Sequence, residues 1–151
     1  MKLIPLLLLC CCGSAAAQTF HIEPANPILA GEPLTIRLDG LPADKNVTLT
    51  AERTIEAPNR AGVQVLYRSQ VVFSASQGAL DLATAKPLSG SYTDADIRGL
   101  FWSMAPVAGG EVGGLKPLHV KLTAAADGRA LASTTAAIWR SEERRVGKEC
   151  R

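Results

Sequence analysis

Between Leu34 and Glu52 the chain alternates apolar and polar residues with a period of two. Leu34, Ile36 and Leu38 are interleaved with Thr35, Arg37 and Asp39, and Val47, Leu49 and Ala51 with Thr48, Thr50 and Glu52. Successive side chains of an extended chain point to opposite faces, so this period predicts two strands, each with one buried face, as antiparallel candidates. A longer run sets Val63, Val65, Tyr67, Val71 and Phe73 on one face and Gln64, Arg68, Gln70 and Ser74 on the other, and Leu80 and Leu82 mark a short strand. Leu118, Val120 and Leu122 alternate with His119, Lys121 and Thr123, and the turn pair Asp127-Gly128 joins this run to Leu131–Trp139 as a hairpin. No segment shows the 3.6-residue period of an amphipathic helix.

At the start of the body, Phe20–Glu23 reads as an extended first strand stopped by Pro24 and Pro27, and Gly31-Glu32-Pro33 launches the next. Roughly seven short strands separated by Gly, Pro, Asp and Asn turns predict an all-β fold, an immunoglobulin-like antiparallel β-sandwich. That layout is shared by many exported sandwich domains and does not by itself name a function.

The chain has 151 residues, which fits one domain of ordinary size. Part of its 47% hydrophobic content comes from the N-terminus, where Lys2, the apolar run Ile4–Cys12 and the small residues Ala15-Ala16-Ala17 form an export signal over residues 1–17, with Gln18 opening the mature chain. The run is shorter than the roughly 20 residues that span a bilayer, so no membrane contact is expected once the signal is removed. The expected location is periplasmic or secreted, with lipid attachment at Cys12 as the less favoured alternative. A formal charge of +2 and scattered basic residues give no footprint for nucleic acid.

Candidate chemistry is sparse. Cys10, Cys11 and Cys12 lie in the signal and Cys150 near the end, so the body from residue 18 to 140 has no thiolate for a disulfide or a metal. His21 and His119 are far apart in sequence and have no carboxylate-rich companion motif, so no metal site and no cofactor is expected. There is no Gly-x-Ser-x-Gly elbow; Ser91 and Ser103 read as turn or strand hydroxyls, and Asp94 and Asp96 as solvated turn residues. No catalytic residue is assigned. Asn46-Val47-Thr48 matches a glycosylation acceptor, relevant only in a eukaryotic secretory host.

The segment Gly90–Pro106, GSYTDADIRGLFWSMAP, is more idiosyncratic than a generic sandwich requires. Gly99 permits a sharp entry into an apolar Leu100-Phe101-Trp102 strand, in which Trp102 and Met104 are expected to fill the space between the sheets, with ligand stacking by Trp102 the second choice. With GEPLTIRLDGLPADKNVTLTA (Gly31–Ala51) and GALDLATAKPLSG (Gly78–Gly90), this segment resembles the N-terminal domain of the acyl-CoA thioesterase and bile acid-CoA:amino acid N-acyltransferase family. The resemblance implies a β-sandwich that precedes an α/β-hydrolase domain, whose Ser, Asp and His cleave or transfer the acyl thioester. It carries no catalytic residue onto Gly90–Pro106.

The resemblance ends where the composition changes. Residues 18–140 are expected to be the sandwich, and Ser141–Arg151, SEERRVGKECR, is dense in charge, lacks alternation and reads as a non-native tail. The leading expectation is therefore a fragment, the non-catalytic N-terminal domain of an exported thioesterase or acyltransferase-like enzyme. Its partner would be the hydrolase domain of the same full-length protein, absent from this chain. Coenzyme A thioesters are cytoplasmic, so an exported relative meets other esters or amides. The alternative is a stand-alone exported immunoglobulin-like module that binds a protein or a glycan. A sandwich shaped against a hydrolase should show an uncovered apolar patch, whereas a stand-alone module should have polar outer faces.

Overall fold

The computed structural model of the protein describes residues 17–25, 27–29, 31–57, 60–75, 78–108 and 119–139. The expected export signal, apart from Ala17, lies outside the described residues, as do Leu118 and the segment Ser141–Arg151.

Ten strands and one helical turn are present among the described residues. In chain order they are β1 (Thr19–Glu23), β2 (Ile28–Leu29), β3 (Thr35–Asp39), β4 (Lys45–Glu56), β5 (Gln64–Ala75), β6 (Ala79–Asp81), β7 (Ser89–Gly90), α1 (Gly99–Trp102), β8 (Ala105–Pro106), β9 (His119–Ala126) and β10 (Arg129–Trp139). They form two sheets. A small sheet has the order β1-β3-β6, and a large one the order β2-β10-β9-β4-β5-β7, with β8 also paired to β5. All pairings are antiparallel except β2 with β10. The protein is an all-β sandwich with more strands than the seven or so expected, the surplus being two-residue strands too short to leave a periodicity.

The two sheets are glued by the alternating residues that the sequence places on one face. Ile36 and Leu38 of β3 and Leu80 of β6 meet Val47, Leu49 and Ala51 of β4, Val71 and Phe73 of β5, and Val120, Leu122 and Ala124 of β9. Removing these side chains from water supplies the main force that closes the sandwich. Their alternation with polar residues fixes register, because a one-residue slip would turn the whole set outward. The β9–β10 hairpin closes at Asp127 (φ 48°) and Gly128 (φ 74°). Both central residues are left-handed, the twist that suits a two-residue hairpin turn.

Three expectations are corrected. The strands β3 and β4 are not partners, since they lie in opposite sheets. At the start of β5 the expected inward face is not the most buried one: Val63 precedes the strand and is exposed, whereas Leu66, on the opposite face, is buried across from the buried Thr54 of β4. Leu100–Trp102 is not a strand but lies in the helical turn α1.

Candidate functional site

The strand β5 is paired with β4 along its whole length, and among the described residues its other edge is covered at two points. Val71 and Val72 pair with β7, and Tyr67 and Arg68 pair with β8. Residues 91–104, between those two points, leave the edge and form a corner that contains α1.

Side chains tie this corner down at both ends. At its start the Ser91 hydroxyl donates to the Gln70 carbonyl at 3.2 Å and accepts from the Gln70 amide at 3.0 Å. At its end the Val107 amide donates to the Leu66 carbonyl at 2.9 Å. Between them the buried Ser69 hydroxyl of β5 donates to the Leu100 carbonyl at 2.5 Å, and the Arg98 guanidinium donates to the Glu32 carbonyl.

Asp96 explains why the chain turns here instead of extending. Its Oδ1 accepts from the Arg98 amide at 2.8 Å and its carbonyl accepts from the Gly99 amide at 3.0 Å, a local bonding pattern that aspartate offers in competition with a sheet ladder. The helical turn then sends Leu100 inward, 1% exposed, with Phe101 and Met104 packed half-buried on the core. Gly99 is required for space. The Tyr92 ring lies against its Cα, and a Cβ there would come within 2.5 Å of ring carbons.

Trp102 points the other way. It is 63% exposed, so it is not the core anchor expected from the sequence; Leu100 takes that place. Its indole Nε1–H donates to Asp96 Oδ2 at 2.8 Å, and its ring is tilted 48° to Tyr92 with centroids 6.1 Å apart. Asp96 is thus a structural acceptor for a side chain as well as for the backbone, not merely a solvated turn residue. Tyr92 is buried, with a hydroxyl that has no hydrogen-bond partner among the described residues, and its pKa is pushed up to about 12, mainly by burial and further by the negative charge of Asp96.

The other candidate groups do not converge. The hydrogen bonds of Ser91 run to Gln70, and the Ser103 hydroxyl is buried without a hydrogen-bond partner among the described residues. His21 Nε2 is 3.4 Å from Asp39 in the small sheet, and the Nδ1 of His119, at the start of β9, is buried without a hydrogen-bond partner among the described residues. Asp94 is exposed. Among the described residues no three His, Cys, Asp or Glu side chains gather as they would around a metal. A shallow hollow of about 620 Å³ is lined in part by Arg37, Ser74, Asp81, Thr84 and Lys86, but its charges are mixed and Arg37 is already bonded to Asp39 at 2.8 Å. What stands out on this surface is an exposed indole, bonded to Asp96, at a sheet edge. The order Asp-x-Arg-Gly before three consecutive apolar residues is the only sequence signal for it.

Residues 31–145, which include the whole corner, match the profile of the acyl-CoA thioester hydrolase/BAAT N-terminal region. The chain belongs to that family. Among its relatives are rat acyl-coenzyme A thioesterase 1, 38% identical over 88 residues, and rat acyl-coenzyme A amino acid N-acyltransferase 2, 37% identical over 79 residues. Mouse peroxisomal succinyl-coenzyme A thioesterase is 34% identical over 90 residues. These stretches cover 58%, 52% and 60% of this chain but only 20%, 18% and 20% of the relatives. This family domain therefore spans about a fifth of the length of the curated relatives it matches.

Proposed function

We propose that this family domain, immunoglobulin-like in its architecture, is the non-catalytic N-terminal part of an exported acyl-CoA thioesterase or acyltransferase-like enzyme. Thioester hydrolysis or acyl transfer belongs to an α/β-hydrolase domain of the full-length protein. The observation that carries this is the mismatch in extent: the family profile runs along nearly all of the sandwich, while the relatives are about five times longer than the stretch they share with it. The candidate hydroxyls agree. A serine nucleophile needs a base within hydrogen-bond reach, and among the described residues Ser91 is engaged with main chain while Ser103 has no hydrogen-bond partner. In the full-length enzyme a serine, its histidine base and an aspartate orienter would act with backbone donors that stabilise the oxyanion. Export is supported by Lys2, the apolar run Ile4–Cys12 and Ala15–Ala17.

The test is the gene beyond codon 140. An in-frame segment with Gly-x-Ser-x-Gly, followed by candidate Asp and His partners, is the expected result. A stop codon near that position would overturn the reading in favour of a stand-alone module for a protein or glycan. The exposed indole of Trp102 is the observation on which that second reading draws.

A further inference from the structure

We propose that the Trp102 corner on the edge of β5 is the surface against which the catalytic domain of the same polypeptide docks, with the indole as its anchor. The proposal rests on the two-domain reading above and names the contact that reading requires.

Trp102 is held out, not left over. The inward places in the corner are filled by Leu100, Phe101 and Met104, and the indole is fixed in the open by Asp96 at 2.8 Å and by the Tyr92 ring. The turn that carries it is in turn anchored through Ser69 and Arg98. An aromatic ring locked before binding gives up little conformational freedom when it is covered, and tryptophan at the centre of a contact carries more binding free energy than most residues. Leu88, 58% exposed, and the exposed Ala105 and Pro106 belong to the segment closing the same edge. A sandwich shaped against another domain needs apolar residues turned outward in this way.

The path of the chain selects the occupant. One line across the large sheet joins Thr135 of β10 to Lys121, Glu52, Arg68 and finally Ala105, three residues after Trp102. The described chain leaves β10 at Trp139, four residues beyond that line, so its exit lies about 13 Å further along the strands, toward the end at which β5 begins. Four strand spacings, from β10 through β9, β4 and β5 to β8, separate the exit strand from the corner, about 19 Å. A domain that follows residue 140 is therefore tethered about 23 Å from the corner, a distance that a domain of ordinary size spans. Tethering raises its effective concentration toward the millimolar range, at which a modest apolar contact suffices.

The experiment is hydrogen exchange by mass spectrometry on the 151-residue chain and on the full-length protein encoded by its gene. Residues 99–107 should exchange about tenfold more slowly in the full-length protein, and Trp102→Ala in that protein should restore the faster rate. Unchanged protection of β4 and β9 in Trp102→Ala shows that the sandwich is still folded. If the gene encodes no hydrolase segment, the two-domain reading fails and this proposal falls with it. If it does encode one and residues 99–107 exchange alike in both proteins, that reading stands and the docking proposal is overturned. Protection of 99–107 in the 151-residue chain by an added chitin or glucan oligosaccharide, without protection by the hydrolase domain, would overturn it as well and mark the indole as a sugar platform.

Discussion

Alanine at position 100 and alanine at position 102 should have opposite weights, although the two residues are neighbours on one helical turn. Leu100 is 1% exposed and belongs to the main core, so truncation removes its transfer free energy and leaves a cavity. Such changes cost about 2–5 kcal/mol. Trp102 is 63% exposed, and its losses are the bond to Asp96 and part of the contact with Tyr92. Each of these contributes about 0.5–1.5 kcal/mol in favourable cases, and solvent exposure places their sum here near 1 kcal/mol. The assay is a urea titration of the 151-residue chain followed by far-ultraviolet circular dichroism, which does not depend on tryptophan emission. With a slope of about 1–3 kcal/mol per molar, Leu100→Ala should lower the midpoint by about 1–2 M and Trp102→Ala by about half a molar. A midpoint shift for Trp102→Ala as large as that for Leu100→Ala would refute the reasoning, because it would mean that the indole is a core side chain.

Tyr92→Phe should not lower stability near neutral pH, because it removes a buried hydroxyl that has no hydrogen-bond partner among the described residues. The Tyr92 pKa is raised in the fold, so the phenol's contribution is complete below its unfolded value near 10 and is lost as pH rises toward about 12; stability of the wild type should fall more steeply than that of Tyr92→Phe across that window. Gly90→Ala should cost at least about 2 kcal/mol in the same urea titration, since φ is 133° and a Cβ would overlap the Gln70 carbonyl oxygen and come within 2.6 Å of the Val71 Cα. The exposed pair of Arg68 with Glu52 should matter little, so Arg68→Ala should shift stability by no more than about 1 kcal/mol. The 151-residue chain should not hydrolyse acyl-CoA or model esters above a buffer control; turnover abolished by Ser91→Ala or Ser103→Ala would contradict the assignment of catalysis to another domain.

The long strands are legible because each carries a one-sided pattern over several residues. Ile36 and Leu38 of β3, Val47, Leu49 and Ala51 of β4, Val71 and Phe73 of β5, and Val120 and Leu122 of β9 all lie in the core where the alternation puts them. Asp127-Gly128 fixes a hairpin through its turn chemistry alone. The sheet to which each strand belongs is not legible, because β3 and β4 carry the same alternation and would pattern identically if paired. The corner escapes the pattern for a different reason. Three apolar residues in a row have no period, and the outward turn of Trp102 is decided by one bond to Asp96 six residues earlier. The shape of the corner is not legible either, because it depends on tertiary contacts of Asp96, Tyr92 and Ser69.

The opening of the sandwich has a practical consequence for where the domain can be cut. Residues 19–23 pair with β3 in the small sheet, and residues 28–29 pair with β10 in the large one, so a single short segment crosses from one layer to the other as a strap. The region matched by the family profile begins at residue 31, beyond that strap. A truncation made at the family boundary would strip β1 from β3 and β2 from β10, baring two rows of unpaired backbone donors and acceptors at once. Such a fragment would keep nearly all of its core and still be prone to self-association, edge to edge, which makes residue 18 the sounder starting point for expression.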